Sequence, residues 1–256
     1  MKFAVVGDPV EHSRSPAIHN AAFRSLSIDA EFGFMHVPAD GFHEVVRALR
    51  SGEIDGASVT MPHKHNAFDA ADEWSDTALR TGAVNTLVVN DERLIGHNTD
   101  VAGVRHALAA VETDAENPVL ILGYGGAAAA AVVAVVGRDI YLSGRDMEKA
   151  DALISRVDVE ATSVSWGMSV PMATVINATP LGMEGESLPD GLVERAGALA
   201  DMTYGVERAP AVAHALALGL PTADGITMLV GQAAEAFKLF TGEEAPILVM
   251  DQAARS

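Results

Sequence analysis

A lysine and an aspartate that follow predicted strands are the residues best suited to proton transfer. Lys64 ends the segment Thr60-Met61-Pro62-His63-Lys64, and Asp100 ends Asn98-Thr99-Asp100. A lysine held beside a carboxylate in a partly dry cleft can give or take a proton during a hydride transfer. Each residue also has a simpler interpretation, because Lys64 could be a surface lysine and Asp100 a helix N-cap.

A glycine-rich turn predicts a dinucleotide site. The pattern G-x-G-x-x-A at 123–128 follows the apolar run Val119–Leu122 and precedes an alanine-rich helix. Gly123 permits the tight turn, Gly125 lets a pyrophosphate approach the backbone, and Ala128 lets the helix pack close to the strand. The helix N-terminus offers free N–H groups and a positive dipole end, which attract phosphate. A glycine-rich turn without a ligand is the alternative.

Two cations near the end of the next predicted strand favour NADP over NAD. NAD sites usually place Asp or Glu about 20 residues after the turn to hold the ribose 2′-hydroxyl. Here the strand is followed by Gly144-Arg145-Asp146, with Lys149 one turn later. Arg145 can fork onto a 2′-phosphate, and Lys149 adds a point charge. Arg145 could instead be a solvated loop residue, and Asp146 could weaken a phosphate site or face away from it.

Neutral hydrogen-bonding residues recur near the predicted strand ends, as a polyhydroxylated ligand requires: Ser13, Ser15, Thr60 and Asn85. Gln232 lies on an otherwise apolar stripe of the last long predicted helix. A buried amide without partners costs about 1–3 kcal/mol, so we expect Gln232 to bind either backbone or ligand. His63 and His65 lie in a predicted loop without carboxylates at metal-ligand spacing, and no metal site is expected.

Alternating strand and helix signals predict an α/β fold with two α/β domains. The first has a mainly parallel sheet, and the second is a Rossmann-type dinucleotide-binding domain that follows a polar connector at Thr113–Pro118. Ser15-Pro16 is typical of a helix N-cap and first turn. The segments 85–89 and 93–95 predict a hairpin turning at Asn90-Asp91. Since ligands collect beyond the carboxyl ends of strands in such sheets, the candidate residues should meet there.

Composition excludes several classes of protein. The chain has 256 residues, 17 Lys and Arg against 35 Asp and Glu, a formal charge of −18, and no cysteine. This acidity disfavours nucleic acids and anionic membranes as partners. The missing thiols exclude disulfides, cysteine nucleophiles and thiolate metal sites. Since neither a signal peptide nor a membrane-spanning run is found, we expect a soluble, cytoplasmic protein.

Seven ordered motifs together resemble the shikimate dehydrogenase family over most of the chain. Besides the glycine turn they lie at 7–16 with His19-Asn20, at 58–64, 82–86, 96–100, 177–183 and 225–233. The resemblance implies an enzyme that reversibly reduces 3-dehydroshikimate to shikimate with NADPH in aromatic amino acid biosynthesis. It also implies a small-molecule substrate, a monomer or homodimer, and a C-terminal helix that returns to the first domain.

The resemblance implies a role for each candidate residue. Lys64 and Asp100 would form the catalytic pair. The substrate would be bound by Ser13, Ser15, Thr60, Asn85 and Gln232, with Tyr204 at its carboxylate. The cofactor would be bound by Asp76, Gly123, Tyr124, Gly125, Gly126, Ala127, Gly144, Arg145 and Lys149, with Met202 and Gly225 on the nicotinamide side. Residues 1–100 plus 226–256 would form the substrate-binding and catalytic domain, and residues 101–225 the NADP-binding Rossmann domain.

The sequence departs from the family pattern outside the proposed reactive centre. Gly144 replaces the usual Asn, Asp146 the usual Thr, and Tyr124 the usual Ala. The common Tyr-x-Pro-x-x-Thr-Pro motif, here at 204–210, lacks one Pro and the Thr. Two alternatives remain: a quinate or aminoshikimate dehydrogenase using NAD, and a non-catalytic dinucleotide-binding sensor. Ser15 favours shikimate, because relatives that take quinate often carry Thr there.

Overall fold

The computed structural model describes residues 1–111, 116–205 and 208–256. These residues divide into unit 1, comprising Met1–Thr99 and Gln232–Ser256, and unit 2, comprising Asp100–Gly231. The predicted domains divide the chain at slightly different positions, after residues 100 and 225, and their functional assignment stays a prediction. Three of the six residues of the predicted connector at 113–118 lie outside the described residues, as do two residues of the 204–210 motif.

The first 99 residues supply ten elements of unit 1, in the following order: β1 (Lys2–Gly7), α1 (Ser15–Ser25), β2 (Glu31–His36), α2 (Phe42–Arg50), β3 (Gly56–Val59), α3 (Lys64–Ala70), β4 (Glu73–Trp74), α4 (Asp76–Thr81), β5 (Thr86–Asn90) and β6 (Arg93–His97).

The rest of the chain supplies the elements of unit 2 and then returns to unit 1. They are α5 (Asp100–Ala110), β7 (Val119–Leu122), α6 (Gly126–Ala134), β8 (Ile140–Gly144), α7 (Met147–Val157), β9 (Thr162–Ser165), β10 (Thr174–Asn177), β11 (Ala198–Asp201), α8 (Pro210–Ala217), β12 (Thr222–Ala223), α9 (Gly225–Thr241) and α10 (Ile247–Arg255). Helix α9 begins in unit 2 and ends in unit 1. No helix of the described chain is long and apolar enough to cross a membrane.

Unit 1 contains a mixed six-stranded sheet in the order β2-β1-β3-β5-β6-β4. Strand β1 is parallel to β2 and β3, whereas β5 is antiparallel to both β3 and β6. Because β5 runs in the opposite direction, it begins at the edge where β1, β3 and β6 end. Since β2 is parallel to β1 and β4 is parallel to β6, one edge of this sheet carries the ends of five strands and the start of β5.

Unit 2 contains an all-parallel six-stranded sheet in the order β12-β11-β10-β7-β8-β9. This is the order of a doubly wound dinucleotide-binding fold, with the switch point between β7 and β10. The small side chains of Ala128–Val133 in α6 are buried against the strands, which keeps the helix close to the sheet. The predicted two-domain α/β fold with a Rossmann-type unit is confirmed.

The structure corrects several local predictions. Ser15 is the first residue of α1 rather than its N-cap, which is Arg14. Asp100 likewise belongs to α5 and does not precede it. Lys64 begins α3 rather than lying in a loop, so the loop predicted for His65 is wrong, whereas His63 precedes the helix as its N-cap.

The hairpin turn is displaced by one residue from its predicted position. Asn90 pairs with Arg93, so the two-residue turn is Asp91-Glu92 rather than Asn90-Asp91. Both turn residues have positive φ angles, of 48° and 64°. Two consecutive left-handed residues match the right-handed twist of the flanking strands, which is why the turn takes this register.

Candidate active site

The predicted substrate residues of unit 1 lie at the sheet edge where β1, β3 and β6 end. Ser13 and Ser15 follow β1, Thr60 follows β3, and Asn85 precedes β5. The two serines contact each other, with 3.2 Å between their Oγ atoms, and the Ser15 amide donates to Ser13 Oγ at 3.3 Å. The topology of unit 1 thus brings together neutral hydrogen-bonding groups that are separate in the sequence.

Lys64 stands at the same edge and is fixed by its neighbours. Its carbonyl oxygen accepts a hydrogen bond from the Val84 amide at 3.1 Å. The preceding His63 is fully buried, donates from Nε2 to the Val37 carbonyl at 2.7 Å and stacks on Phe42. His63 therefore anchors the start of α3, of which the half-buried Lys64 is the first residue. No local pattern in the sequence indicates this role, since Val37 lies 26 residues earlier.

A buried network ties Asn85 to the residue before Asp100. Asn85 Oδ1 accepts from the Thr99 amide at 2.8 Å and lies 3.2 Å from the Thr99 hydroxyl. That hydroxyl is also 3.2 Å from Gln232 Oε1. With one proton, it donates to one of these oxygens at a time. Gln232 therefore has a side-chain partner in Thr99, its binding of a ligand stays a prediction, and the chain entering α5 at Asp100 is held in place.

The glycine turn of unit 2 has the geometry that a pyrophosphate requires. Gly123 has a φ of +111°, and a Cβ there would lie 2.9 Å from the Ala178 carbonyl oxygen. Gly125 is the N-cap of α6, and Gly126 is its first residue. A Cβ on either would meet no described heavy atom within 4 Å, so the space before the helix N-terminus is open. The residues present therefore fit a phosphate-bearing ligand.

The two predicted cations of unit 2 each lie over an aromatic ring. The Arg145 guanidinium carbon is 5.6 Å from the ring centroid of Trp166, and Lys149 Nζ is 5.7 Å from that of Tyr124. Asp146 is the N-cap of α7, and its Oδ1 accepts from the Lys149 amide at 3.2 Å. Its other carboxylate oxygen, Oδ2, lies 3.5 Å from Lys149 Nζ, so Asp146 both caps the helix and pairs with one of the two predicted cations.

A second hydrogen-bond network lies where β10 and β11 end in unit 2. It supports Met202, which is predicted to face the nicotinamide. Asp201 Oδ1 accepts from Asn177 Nδ2 at 3.1 Å and from the Thr203 amide at 2.8 Å. Burial raises the pKa of the Asp201 carboxyl above its ordinary value. The Met202 amide donates to the Asn177 carbonyl at 3.0 Å. Asn177 and Asp201 therefore hold Met202 in place, a role that the sequence analysis missed although the motif at 177–183 contains one of them.

The remaining candidates are divided between the units. Asp76 lies exposed in the first turn of α4 in unit 1, whereas the other predicted cofactor residues belong to unit 2. Half-buried Tyr204 belongs to unit 2, and the other predicted substrate residues belong to unit 1. Lys64 is in unit 1, and buried Asp100 is the first residue of unit 2. The roles of all these residues stay predictions.

Comparisons with known proteins identify relatives over the whole chain. Residues 5–87 match the family model described as shikimate dehydrogenase substrate binding domain. Residues 225–255 match that described as shikimate 5′-dehydrogenase C-terminal domain. A curated relative from Desulfitobacterium hafniense, named shikimate dehydrogenase (NADP(+)), is 35% identical over 98% of this chain and 96% of its own.

Solved structures show the same fold. A shikimate dehydrogenase crystallised with NADP+ is 31% identical and matches with a TM-score of 0.92, covering 99% of this chain and 94% of its own. The enzyme from Thermus thermophilus, crystallised with NADP(H) and shikimate, is 33% identical with a TM-score of 0.88. That match covers 100% of this chain and 98% of the other.

Proposed function

This chain belongs to the shikimate dehydrogenase family, and we propose that it reversibly reduces 3-dehydroshikimate to shikimate with NADPH, in aromatic amino acid biosynthesis. The observation that carries the proposal is the sheet edge of unit 1, where Lys64 stands at the start of α3 among Ser13, Ser15, Thr60 and Asn85. A proton donor at the same sheet edge as several neutral hydrogen-bonding groups suits the reduction of a ketone that carries several hydroxyls.

The cofactor would be held by unit 2. Its phosphates would be bound by the backbone of Gly123 to Ala127 at the N-terminus of α6, where the space is open. Arg145 and Lys149 supply positive charge beyond β8, against a chain whose formal charge is −18. Met202 and Gly225 follow β11 and β12 at the same edge of the sheet and would face the nicotinamide.

The reaction needs one hydride and one proton. When bound, NADPH supplies the hydride that reduces the ketone carbon. Lys64, as an ammonium group, donates the proton to the ketone oxygen, which becomes the hydroxyl of shikimate. In the oxidation direction the neutral amine of Lys64 takes this proton back. Asp100 is assigned as the second member of the catalytic pair, since a carboxylate stabilises the charged form of a lysine.

The substrate is oriented by groups that carry no charge. Ser13, Ser15, Thr60 and Asn85 can bind its hydroxyls, and Gln232 joins them through Thr99. Tyr204 is assigned to the substrate carboxylate. Positioning matters because a bound substrate reacts only when its reacting atoms are held close and aligned. Loss of one of these side chains should therefore raise KM or lower kcat without removing the proton donor.

Replacing the proton donor tests the mechanism. Lys64→Ala should lower kcat for shikimate oxidation by about 10²- to 10⁴-fold, because positioned proton transfer contributes a factor of that size. The KM for shikimate should change little, since the lost interaction belongs to the transition state. Both constants are measured from the change in nicotinamide absorbance with NADP.

The matched control is Lys238→Ala, which removes an exposed lysine paired with Glu244. This variant should turn over shikimate as the unaltered protein does. Thermal unfolding of both variants verifies that they are folded. Near-normal kcat in a folded Lys64→Ala variant would refute the assignment of Lys64 as the proton donor.

A further inference from the structure

The Tyr124 ring packs directly against Gly144. Tyr124 follows β7, and Gly144 ends the neighbouring strand β8. A Cβ on Gly144 would lie 2.5 Å from Tyr124 Cδ1 and 3.0 Å from Cε1. The tyrosine ring thus takes the space that any side chain at position 144 would need. A side chain at position 144 and the Tyr124 ring in its present position therefore exclude each other.

The same ring lies against a cation. Lys149 Nζ is 5.7 Å from the Tyr124 ring centroid, and a cation within about 6 Å of an aromatic face is attracted to it. Arg145 and Trp166 form a second pair of this kind, at 5.6 Å. Both cations are exposed and carry long flexible side chains, so an adjacent ring restricts the positions that each one samples.

Asp146 carries the only carboxylate of residues 144–146, and this carboxylate is bound to groups of α7. Asp146 caps α7 through the Lys149 amide at 3.2 Å, and its Oδ2 lies 3.5 Å from Lys149 Nζ. In NAD sites, by contrast, a carboxylate after this strand binds the ribose 2′-hydroxyl. The ion pair between Asp146 and Lys149 is solvent-exposed and hence weak, so a phosphate can compete for the lysine.

We propose that Tyr124 is a specificity-determining residue that selects ligands carrying a phosphate on the adenosine 2′-oxygen. Its ring holds Lys149, Trp166 holds Arg145, and Gly144 is required because it leaves room for the ring. This inference rests on the proposed function, in which the glycine turn binds a pyridine dinucleotide. Trp166 is a supporting residue for which the sequence carries no motif.

Ligand binding without turnover tests this inference. The probes are adenosine 2′,5′-bisphosphate and adenosine 5′-monophosphate, titrated by calorimetry. Tyr124→Ala should weaken binding of the bisphosphate by about two- to fivefold, the contribution of an exposed cation–aromatic contact. Binding of the monophosphate should stay unchanged. Tyr124→Phe keeps the ring and is the matched control, so it should retain the preference of the unaltered protein.

A double-mutant cycle tests the coupling between the two positions. Gly144→Asn alone should displace the Tyr124 ring and weaken binding of the bisphosphate by about two- to fivefold or more, since the contact with Lys149 is lost and the neighbours of the ring are displaced. Combined with Tyr124→Ala, the same change has room, so the double variant should bind more tightly than Gly144→Asn alone. Far-UV circular dichroism compares the folding of all variants. If Gly144→Asn fails to fold and adding Tyr124→Ala restores folding, that result also shows the steric conflict between positions 124 and 144.

The outcomes separate this inference from the proposed function. Additive effects in the cycle, or an unchanged preference for the bisphosphate in Tyr124→Ala, would overturn the role of Tyr124. If the unaltered protein still binds NADP in that case, the proposed function stands. If the unaltered protein binds neither NADP nor the bisphosphate, both proposals are wrong.

Discussion

His19 is a buried histidine that the proposed mechanism does not use. Its ring is fully buried and stacks on Phe32, with 4.3 Å between centroids, and neither ring nitrogen has a hydrogen-bond partner in the described chain. Burial without a partner lowers the pKa of His19 from 6.5 to about 3. The neighbouring Asn20 instead bonds to the backbone of Phe32, donating from Nδ2 to its carbonyl at 2.8 Å and accepting at Oδ1 from its amide at 2.9 Å. The His19-Asn20 motif thus serves packing in unit 1.

The lowered pKa of His19 predicts how stability depends on pH. Between about pH 6.5 and 3 the unfolded chain binds a proton at His19 that the folded chain does not. The free energy of unfolding should therefore fall as pH falls through this window, by about 1.4 kcal/mol per pH unit from this group. His19→Phe should lose this part of the slope in urea unfolding measured from about pH 7 to about pH 5.

The control for this prediction is His65→Gln, which changes an exposed histidine and should keep the steep slope. A slope in His19→Phe as steep as that of the unaltered protein would show that His19 is not responsible. The absolute stability of His19→Phe does not enter the comparison, because only the change with pH is compared.

At the scale of elements, the start of α9 is fixed by a close backbone approach. A Cβ on Gly225 would lie 2.0 Å from the Thr203 carbonyl oxygen and 3.0 Å from the Tyr204 amide nitrogen. The segment after β11 therefore lies directly against the first residue of α9, within unit 2. Because the obstacle is backbone rather than a flexible side chain, only glycine fits here. The same segment carries Met202, so its position bears on the proposed nicotinamide site.

Gly225→Ala should consequently lower the free energy of unfolding by about 3 kcal/mol, the upper end for an overpacked site. Gly33→Ala is the matched control, because a Cβ there meets no described atom within 4 Å and its φ is not positive. That control should be neutral or stabilising by up to about 1 kcal/mol. Urea unfolding measures both. Equal stabilities for the two variants would contradict the close approach at Gly225.

At the scale of the whole molecule, periodicity and glycine placement were sufficient to predict the fold class. The apolar run Val119–Leu122, the glycine turn and the alanine helix after it identified the first strand of the Rossmann unit and the helix that follows, where β7 and α6 are found. The sheet order could not be predicted, since it depends on pairings between distant segments such as β7 with β10. The short α3 was missed, because tertiary contacts of His63 rather than a periodic pattern fix its start.

The candidate site was predicted less completely than the fold. Strand ends indicated Ser13, Thr60, Lys64 and Asn85, and the topology of unit 1 explains why they meet at one edge. The sequence could not indicate what supports them. Asn85 with Thr99, Asn177 with Asp201, and Trp166 with Arg145 are contacts between residues distant in the chain. Such pairs depend on the sheet order, which local patterns in a single sequence do not reveal.

The central claim is that the whole chain is an NADP-dependent shikimate dehydrogenase, and one measurement tests it most directly. The purified protein is mixed with shikimate or quinate, and with NADP or NAD, while nicotinamide absorbance is followed. We predict reduction of the cofactor with shikimate and NADP, and a clearly lower kcat/KM for each of the other three combinations. No turnover in any combination would contradict the claim, as would a higher kcat/KM with quinate or with NAD.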